Sequence, residues 1–223
     1  MPSTSNIKHI ITRDGSSTLY APDFDEHYHS LHGAIQESMY VFIEKGLNEL
    51  AHLEQVSILE MGFGTGLNAL LTYLETPGKT IHYTSVELYP LVDEQVNLLN
   101  YANELSNPEA SEVFLRLHQA KWEDYQPIGN HFHLKKIKAE FEHFQTQDKF
   151  DLVYFDAFAP AVQPELWSDE IMQRMYDLLN PGGIFVTYSA KGSVKRGLMK
   201  AGFLVEKMPG PPGKREMLRG RRE

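Results

Sequence analysis

The sequence contains no cysteine among its 223 residues, and this absence removes several kinds of chemistry. Disulfide frameworks, thiolate zinc sites, iron–sulfur clusters and cysteine nucleophiles are excluded, and a cytoplasmic location is favoured over secretion. No stretch approaches the roughly 18 apolar residues that a membrane helix needs. Residues 1–6 lack the apolar core and basic flank of a signal peptide. These absences predict a cytoplasmic protein with no membrane-spanning segment.

Positive charge is scarce in most of the chain and concentrated at its end. The net charge is −9, yet residues 186–223 hold ten basic side chains against three acidic ones. This end therefore carries +7, and the first 185 residues carry −16. Such a stretch is either a solvated surface or an electrostatic footprint for an anionic partner. Composition alone leaves both interpretations open.

Strand and helix patterns alternate from about residue 55, which predicts an α/β fold with a largely parallel sheet. A hydrophobic content of 42% and the chain length favour one domain with a modest appendage. Residues 1–54 are predicted to form a helical and hairpin-like extension, and residues 55–223 the main domain. Residues 122–149 form a polar insertion without an assigned place. Strands are predicted at residues 56–59, 81–86, 113–117, 150–155, 184–188, 203–207 and 216–219, and helices at 67–74, before 105, at 165–179 and at 193–201.

A glycine loop follows the first of these strands. Glu60 precedes Gly62, Gly64 and Gly66, whose spacing lets a ligand lie against main-chain N–H groups at a helix N-terminus. The two-residue gap of the dinucleotide fingerprint is missing, which disfavours NAD or FAD. The pattern instead resembles the first motif of class I S-adenosylmethionine-dependent methyltransferases. Glu87, 21 residues after Gly66 at the next strand end, could then accept both ribose hydroxyls.

Two further segments follow predicted strands. Trp122, after the third strand, is either an adenine contact or a core anchor. Asp156, at the carboxyl end of the fourth strand, begins the aromatic and proline-rich residues 156–167. Open α/β sheets bind substrates at such strand ends. The alternative for this segment is a rigid loop whose Phe158 and Trp167 merely pack.

Three sequence segments together resemble the methyltransferase domain of the MnmC family, which makes 5-methylaminomethyl-2-thiouridine in tRNA. They are GFGTGLN at residues 62–68, DAFAP and PELW within residues 156–167, and GKREMLRG at residues 213–220. Residues 28–38 also resemble the opening segment of that family, although His29 stands where an aromatic ring is expected. The resemblance covers about residues 28–220. The flavin-dependent oxidoreductase domain of the family is expected to be absent, which implies methyl transfer only.

The resemblance implies a Rossmann-like class I methyltransferase that methylates the amine of 5-aminomethyl-2-thiouridine at the tRNA wobble position. The cofactor is S-adenosylmethionine, and the partners are the tRNA anticodon loop and a separate oxidoreductase or upstream wobble-uridine modification enzymes. Asp156 would bind and deprotonate the amine, and Phe158 with Tyr188 would stack on the splayed base. Lys195, Arg196, Lys214 and Arg215 would bind RNA. Cofactor contacts are expected at Glu60, Gly62, Phe63, Gly64, Thr65, Gly66, Asn68, Glu87, Trp122 and Asp156.

Several alternatives remain at this stage. The histidines show no metal-ligand spacing, so no metal site is expected. An aminopropyltransferase resembling spermidine synthase would share the fold but carry further acids for a polyamine and no basic C-terminal face. A nicotinamide-dependent oxidoreductase is disfavoured by the glycine spacing. An inactive RNA- or protein-binding module is the alternative that is not an enzyme, and failure to bind S-adenosylmethionine would support it.

Overall fold

The structure is a computed structural model that describes residues 7–223. The predicted absence of a signal peptide concerns residues 1–6, which lie outside this range. Within the described range, no helix is long and apolar enough to cross a bilayer.

The chain alternates strands and helices around one large sheet. The strands are β1 (Lys8–Ile11), β2 (Ser17–Ala21), β3 (Glu26–His27), β4 (Gln55–Met61), β5 (Thr80–Glu87), β6 (Tyr125–Ile128), β7 (Phe132–Lys138), β8 (Phe150–Phe155), β9 (Leu179–Thr187), β10 (Leu204–Pro209) and β11 (Glu216–Arg221). The α-helices are α1 (Ala34–Ser38), α2 (Leu67–Leu74), α3 (Asp93–Val96), α4 (Tyr101–Glu104), α5 (Ala110–Gln119), α6 (Asp169–Leu178) and α7 (Gly192–Ala201). A π-helix (Met39–Glu44) and 3₁₀ helices (Leu47–Leu50, Pro164–Trp167) complete the elements.

Eight strands form the main sheet in the order β10-β11-β9-β8-β4-β5-β7-β6. The five central strands, β9 to β7, pair in parallel, and β11, β10 and β6 pair antiparallel at the two edges. The strands that follow β4 in the chain, β5 to β7, are added on one side of it. The strands from β8 onward are added on its other side. The strand order therefore reverses between β4 and β8, which is where open α/β sheets bind ligands.

Both faces of the sheet are covered by apolar side chains, because successive strand residues point to opposite faces. In β4, Ile58 packs with the N-terminal helices, α2 and α5. Its neighbour Leu59 packs on the other face with α6 and α7. Both side chains are fully buried. This three-layer arrangement is the predicted α/β fold.

The predicted strand at residues 113–117 is wrong, because this segment lies within helix α5. Val113, Phe114 and Leu117 are buried, while Leu115 and Arg116 between them are exposed. That spacing follows one face of a helix, whereas a half-buried strand would alternate residue by residue. The apolar residues of this segment thus follow the period of a helix and not that of a strand.

The third parallel strand is instead β7, inside the segment that had no assigned place. Phe132, Leu134 and Lys136 are buried along it, and the intervening residues are half-exposed. Lysines and a histidine within the strand hide its alternation. As a consequence, the carboxyl end of this strand leads into Glu140 and Phe141 rather than into Trp122.

Most other predicted elements are confirmed with small changes in their bounds, but the helix predicted before residue 105 is two short helices, α3 and α4, and β9 begins five residues before the predicted strand at 184–188. The predicted helix at residues 165–179 is a 3₁₀ turn followed by α6, which begins where Ser168 Oγ accepts a hydrogen bond from the Ile171 N–H. Helix α7 ends at Gly202, whose φ of 105° lies in the left-handed region that favours glycine.

Residues 7–54 contain a hairpin and short helices that pack on the sheet. Phe42 lies 5.1 Å from the Tyr154 ring of β8, measured between ring centres. Asp14 and Ser16, in the turn of the β1–β2 hairpin, accept hydrogen bonds from the first N–H groups of α1. These bonds supply the acceptors that a helix N-terminus lacks, so the hairpin fixes α1 against the core.

Candidate active site

A cavity of about 570 Å³ lies at the switch point, where β4 and β8 end. The main chain is tied together there, since the Asp156 N–H donates to the Met61 carbonyl at 3.1 Å. Ten of the predicted site residues line the cavity: Gly62, Phe63, Gly64, Thr65, Asn68, Glu87, Asp156, Phe158, Tyr188 and Lys214. The remaining six, Glu60, Gly66, Trp122, Lys195, Arg196 and Arg215, are not part of its lining.

The glycine loop forms one wall of the cavity. Gly62, Gly64 and Gly66 all adopt positive φ angles, of 100°, 51° and 74°. A side chain at Gly66 would meet His118 Nε2 at 2.9 Å, so the loop is also sterically closed to larger residues. The sequence thus places glycine where the turn into α2 requires it.

Glu87 faces this loop from the end of β5. Its Oε2 accepts the Gly64 N–H at 3.0 Å, and its Oε1 accepts the Tyr89 N–H at 2.8 Å. The Leu88 N–H also lies within hydrogen-bonding reach of this carboxylate, and since a carboxylate offers about four acceptor sites, Glu87 keeps acceptor capacity for a ligand hydroxyl. A half-buried carboxylate with spare acceptor capacity on a cavity fits the ribose of S-adenosylmethionine.

Replacing Glu87 by alanine should weaken S-adenosylmethionine binding roughly 10- to 150-fold, the equivalent of about 1.5 to 3 kcal/mol for hydrogen bonds to a charged group. Titration calorimetry measures the change. Glu94→Ala, which removes an exposed carboxyl outside the cavity lining, should bind the cofactor normally. Equal affinity of Glu87→Ala and the wild-type protein would remove Glu87 from the cofactor site.

Glu60, predicted as a cofactor contact, lies behind the glycine loop rather than on the cavity. Its side chain is wholly buried, and its Oε2 accepts the Ser85 hydroxyl at 2.6 Å. Its Oε1 and the Asn68 Oδ1 both lack a hydrogen-bond partner within residues 7–223. Burial raises the pKa of Glu60 to about 8, so a proton on this carboxyl is available at neutral pH. The protonated form of Glu60 is therefore the one that burial favours at neutral pH.

Replacing Glu60 by glutamine should raise the free energy of unfolding at alkaline pH. Because folding raises the pKa of Glu60 from 4.5, its contribution to stability is complete below about pH 4.5 and is lost as pH rises through about 8. Glutamine keeps the shape and cannot ionise, so the variant should gain a few kcal/mol at pH 9 and little at pH 5. Urea unfolding at both pH values measures this. The exposed Glu75→Gln should gain nothing, and a loss at pH 9 in Glu60→Gln would contradict a protonated Glu60.

Asp156 is the acidic group on the cavity itself. Its Oδ2 accepts a hydrogen bond of 2.8 Å from Asn68 Nδ2. Burial raises the pKa of Asp156 to about 7, with Glu37 adding to the rise and Lys214 opposing it. A carboxyl that titrates near neutrality can take up and release protons at the working pH, which suits a general base. Asn68 thereby joins helix α2 to the Asp156 carboxyl.

A second wall of the cavity comes from the N-terminal segment together with Phe158. The Phe158 ring lies 5.1 Å from the Phe24 ring and 5.3 Å from the Tyr28 ring, between ring centres. Such contacts build an aromatic surface suited to a flat base. His29 Nε2 and Thr65 Oγ1 form a 2.8 Å hydrogen bond, and burial lowers the pKa of His29 to about 4. A neutral His29 therefore ties this segment to the glycine loop.

The cavity residues without a role assigned from the sequence include Phe24, Tyr28, His29, Glu37, Glu140 and Phe141. The resemblance at residues 28–38 pointed to three of them without a function. Glu140 and Phe141 could have been found if the alternation of residues 132–138 had been recognised as a strand. No sequence signal places Phe24, because the fold of the hairpin alone brings it to the cavity.

Trp122 packs away from the cavity lining. It forms an isolated bridge with Lys136, whose Nζ lies 4.8 Å from the Trp122 ring and 5.2 Å from the Phe63 ring. The Lys136 ammonium donates to the His118 carbonyl at 2.7 Å. Trp122 thus covers a buried lysine, which is closer to the core-anchor interpretation than to an adenine contact.

The basic C-terminal residues divide into two sets. Five of the ten contact acidic side chains: Lys200 with Asp169, Lys207 with Glu216, Lys214 with Glu37, Arg219 with Glu49 and Glu206, and Arg221 with Glu49. Arg222 donates to main-chain carbonyls of Tyr176, Asp177 and Leu179. Within residues 7–223, no ion pair or hydrogen bond of the Lys191, Lys195, Arg196 or Arg215 side chain is found.

These four cations lie at the end of the sheet where the parallel strands have their carboxyl ends. Lys191, Lys195 and Arg196 stand at the start of α7, which follows the carboxyl end of β9. Arg215 immediately precedes β11, whose first residues pair near that same end. The cavity opens at the carboxyl ends of the parallel strands, so the free positive charge lies on the side of its mouth.

Comparison with known proteins agrees with this geometry. Residues 103–223 match a family described as S-adenosyl-L-methionine-dependent methyltransferase. The bifunctional tRNA 5-methylaminomethyl-2-thiouridine biosynthesis protein MnmC of Paraburkholderia xenovorans is 31% identical over 95% of this chain and 34% of its own length. Its counterpart in Idiomarina loihiensis is 34% identical over 88% and 36%, respectively. The chain thus spans about a third of the length of these curated relatives.

A solved structure extends the comparison to the fold. The crystal structure of MNMC2 from Aquifex aeolicus superposes with a TM-score of 0.81 at 26% identity, over 98% of this chain and 71% of that one. The predicted class I methyltransferase fold and the predicted resemblance to MnmC are confirmed. Because the family match spans more than half of the chain, this protein belongs to that family of S-adenosylmethionine-dependent methyltransferases.

Proposed function

We propose that this protein transfers a methyl group to the primary amine of 5-aminomethyl-2-thiouridine at the wobble position of tRNA. The observation that carries the proposal is Asp156, a carboxyl with a pKa of about 7 on a cavity lined by aromatic rings. The names of the MnmC relatives supply the substrate. The proposal extends to the division of the chain into an extension, residues 1–54, and a methyltransferase domain, residues 55–223.

The residues around the cavity fit S-adenosylmethionine. Glu87 would hold the ribose, and the main chain of Gly62, Gly64 and Thr65 would pass beside the rest of the molecule. When bound, this cofactor supplies a methyl group whose bond to the sulfonium sulfur breaks, with its electron pair passing to sulfur, as a bond to the amine nitrogen forms. The protein contributes mainly by placing the amine in line for that attack.

Asp156 prepares the amine. An aminomethyl group is mostly ammonium near neutral pH and has no free lone pair in that form. The Asp156 carboxylate accepts a proton from the ammonium, which leaves a neutral amine and a carboxylic acid. Asn68 Nδ2 donates to Oδ2 and so fixes the direction in which the carboxylate faces.

The aromatic rings and the free cations would hold the RNA. A wobble base lies in a single-stranded loop, so turning it into a pocket costs little stacking energy. Phe158 and Tyr188 would contact the base, and Lys195, Arg196 and Arg215 would contact the anticodon-stem phosphates. A cytoplasmic location follows from this substrate.

The aminomethyl group must come from another activity, either an oxidoreductase or the upstream enzymes of wobble-uridine modification. The relatives are named bifunctional, which supports the first source. Neither aminopropyl transfer nor an inactive binding module gains support from the similar proteins.

The experiment that tests the function uses tRNA bearing 5-aminomethyl-2-thiouridine and S-adenosylmethionine with a labelled methyl group. Nucleoside mass spectrometry should find the label on 5-methylaminomethyl-2-thiouridine. The same tRNA without the aminomethyl group should take up no label. Cofactor binding without any transfer to the modified tRNA would overturn the proposed substrate.

A further inference from the structure

One of the other carboxyl groups on the cavity, that of Glu37, is paired with the single ammonium group of the described lining, that of Lys214. Lys214 Nζ donates to Glu37 Oε1 at 2.5 Å and lies 3.8 Å from the centre of the Tyr188 ring. Glu37 Oε2 accepts the Ser30 N–H at 2.9 Å, and its side chain is only 8% exposed. The ammonium is therefore held by a carboxylate on one side and an aromatic face on another.

The fold fixes both partners independently of each other. Glu37 lies on α1, whose N-terminus is held by Asp14 and Ser16 of the hairpin. Lys214 follows Gly213, which has a φ of 86° and packs so closely that a side chain there would collide with His32. Each residue is thus presented by rigid main chain, and the ion pair does not depend on chance side-chain contact at the surface.

Lys214 was expected to bind RNA from the sequence, but its ammonium is directed to Glu37 and not to the exterior. We propose that the Glu37–Lys214 ion pair controls the protonation of the amine bound at Asp156. The Lys214 ammonium favours the neutral amine, and Glu37 holds the Lys214 ammonium against the Tyr188 ring. This inference rests on the proposed amine methyl transfer. The proton concerned leaves the amine nitrogen for the Asp156 carboxylate, and the nitrogen keeps its lone pair.

The electrostatic reasoning follows from the signs of the charges. A nearby ammonium disfavours a second positive charge on the amine and favours the ionised form of Asp156, whereas Glu37 has the opposite influence. Accordingly, Glu37 raises and Lys214 lowers the pKa of Asp156, while burial raises it most. Other groups facing Asp156 are Asn68, which donates to it, and the ionisable Glu60, Tyr83, Tyr101 and Tyr188.

The two partners should therefore shift the titration of the cavity in opposite directions. Lys214→Met keeps the length of the side chain but removes the cation that lowers the pKa of Asp156, so Asp156 should take up its proton roughly one pH unit higher. Glu37→Gln can still accept the Ser30 N–H, and it should move the titration of Asp156 to lower pH. The double variant Glu37→Gln/Lys214→Met should return close to the wild-type midpoint.

Carbon-13 NMR of the carboxyl groups in the full-length protein without RNA measures these midpoints directly. Lys214→Arg keeps the charge and should keep the midpoint of Asp156. Lys200→Met breaks the exposed pair with Asp169, outside the cavity lining, and should leave Asp156 unaffected. In single-turnover assays, the acidic limb of the rate should move with the NMR midpoint in each variant.

If the ion pair is merely structural, the titration midpoint of Asp156 should move in the same direction in both single variants or in neither. Either result would overturn the inference. The NMR titration requires no substrate, so its outcome is independent of the proposed function. If the midpoints move oppositely but no RNA is methylated, the proposed substrate fails. If methylation occurs with unmoved midpoints, the ion pair has no such role.

Discussion

Replacing Asp156 by asparagine should lower the single-turnover rate of methyl transfer by roughly 10²- to 10⁴-fold, the range of general-base catalysts. Asparagine has nearly the same shape, and its side-chain oxygen can still accept the hydrogen bond from Asn68. It cannot accept a proton from the substrate ammonium at neutral pH. The amine would then be bound without the lone pair that the reaction needs.

The affinity for S-adenosylmethionine should change little in Asp156→Asn, because the hydrogen bonds of Glu87 to Gly64 and Tyr89 do not involve Asp156. Titration calorimetry provides this control. The wild-type rate should rise with pH through about 7 as Asp156 ionises, and the variant should lose that dependence. Near-normal turnover with an unchanged pH profile would rule out Asp156 as the base.

Reversing the charge of Lys195 and Arg196 together should weaken tRNA binding roughly 100-fold or more at low salt, given about 1.5 to 3 kcal/mol for each hydrogen bond to a charged group. Both side chains stand in the first half of α7, on the side of the cavity mouth, and neither forms an ion pair or a hydrogen bond among residues 7–223. Binding of phosphates releases counterions, so the slope of log affinity against log salt should become shallower by about one per lost contact.

A matched control separates RNA contact from net charge. Lys149→Glu/Lys200→Glu carries the same charge change, but Lys149 donates to the Asp177 carbonyl and Lys200 pairs with Asp169, so neither belongs to the unpaired cations near the cavity mouth. This variant should bind tRNA nearly as the wild-type protein does, with the same salt slope. Equal losses in the two variants would show that the effect is one of overall charge. Unaltered binding in Lys195→Glu/Arg196→Glu would exclude this end of the sheet as the RNA surface.

The parts of the site that the sequence predicted are those built from contiguous residues. Gly62, Gly64 and Gly66 turn the chain from β4 into α2, and the requirement for positive φ angles is written in the residue types themselves. Glu87 and Asp156 follow apolar strands, and parallel strands bring their carboxyl ends to one edge. Local pattern and the geometry of a parallel sheet were sufficient there.

The third strand was misplaced because its burial does not follow its polarity. β7 carries Lys136 on its buried side, where the ammonium finds the His118 carbonyl and two aromatic rings as partners. These partners come from α5 and from residues 63 and 122, far along the chain. Residues 113–117 of α5 are more apolar than β7. They therefore match the pattern of a buried strand better than β7 does.

The sequence by itself determined the class I α/β framework, the cofactor loop and the acidic groups at the strand ends, because these depend on local conformation and on a regular sheet. Only the tertiary structure decided which charges are free. It paired Lys214 with Glu37, 177 positions away, and Arg219 with Glu49, and it buried Glu60 behind the cavity. Charge pairing and burial depend on distances between remote segments, and those distances exist only once the N-terminal segment has packed on the sheet.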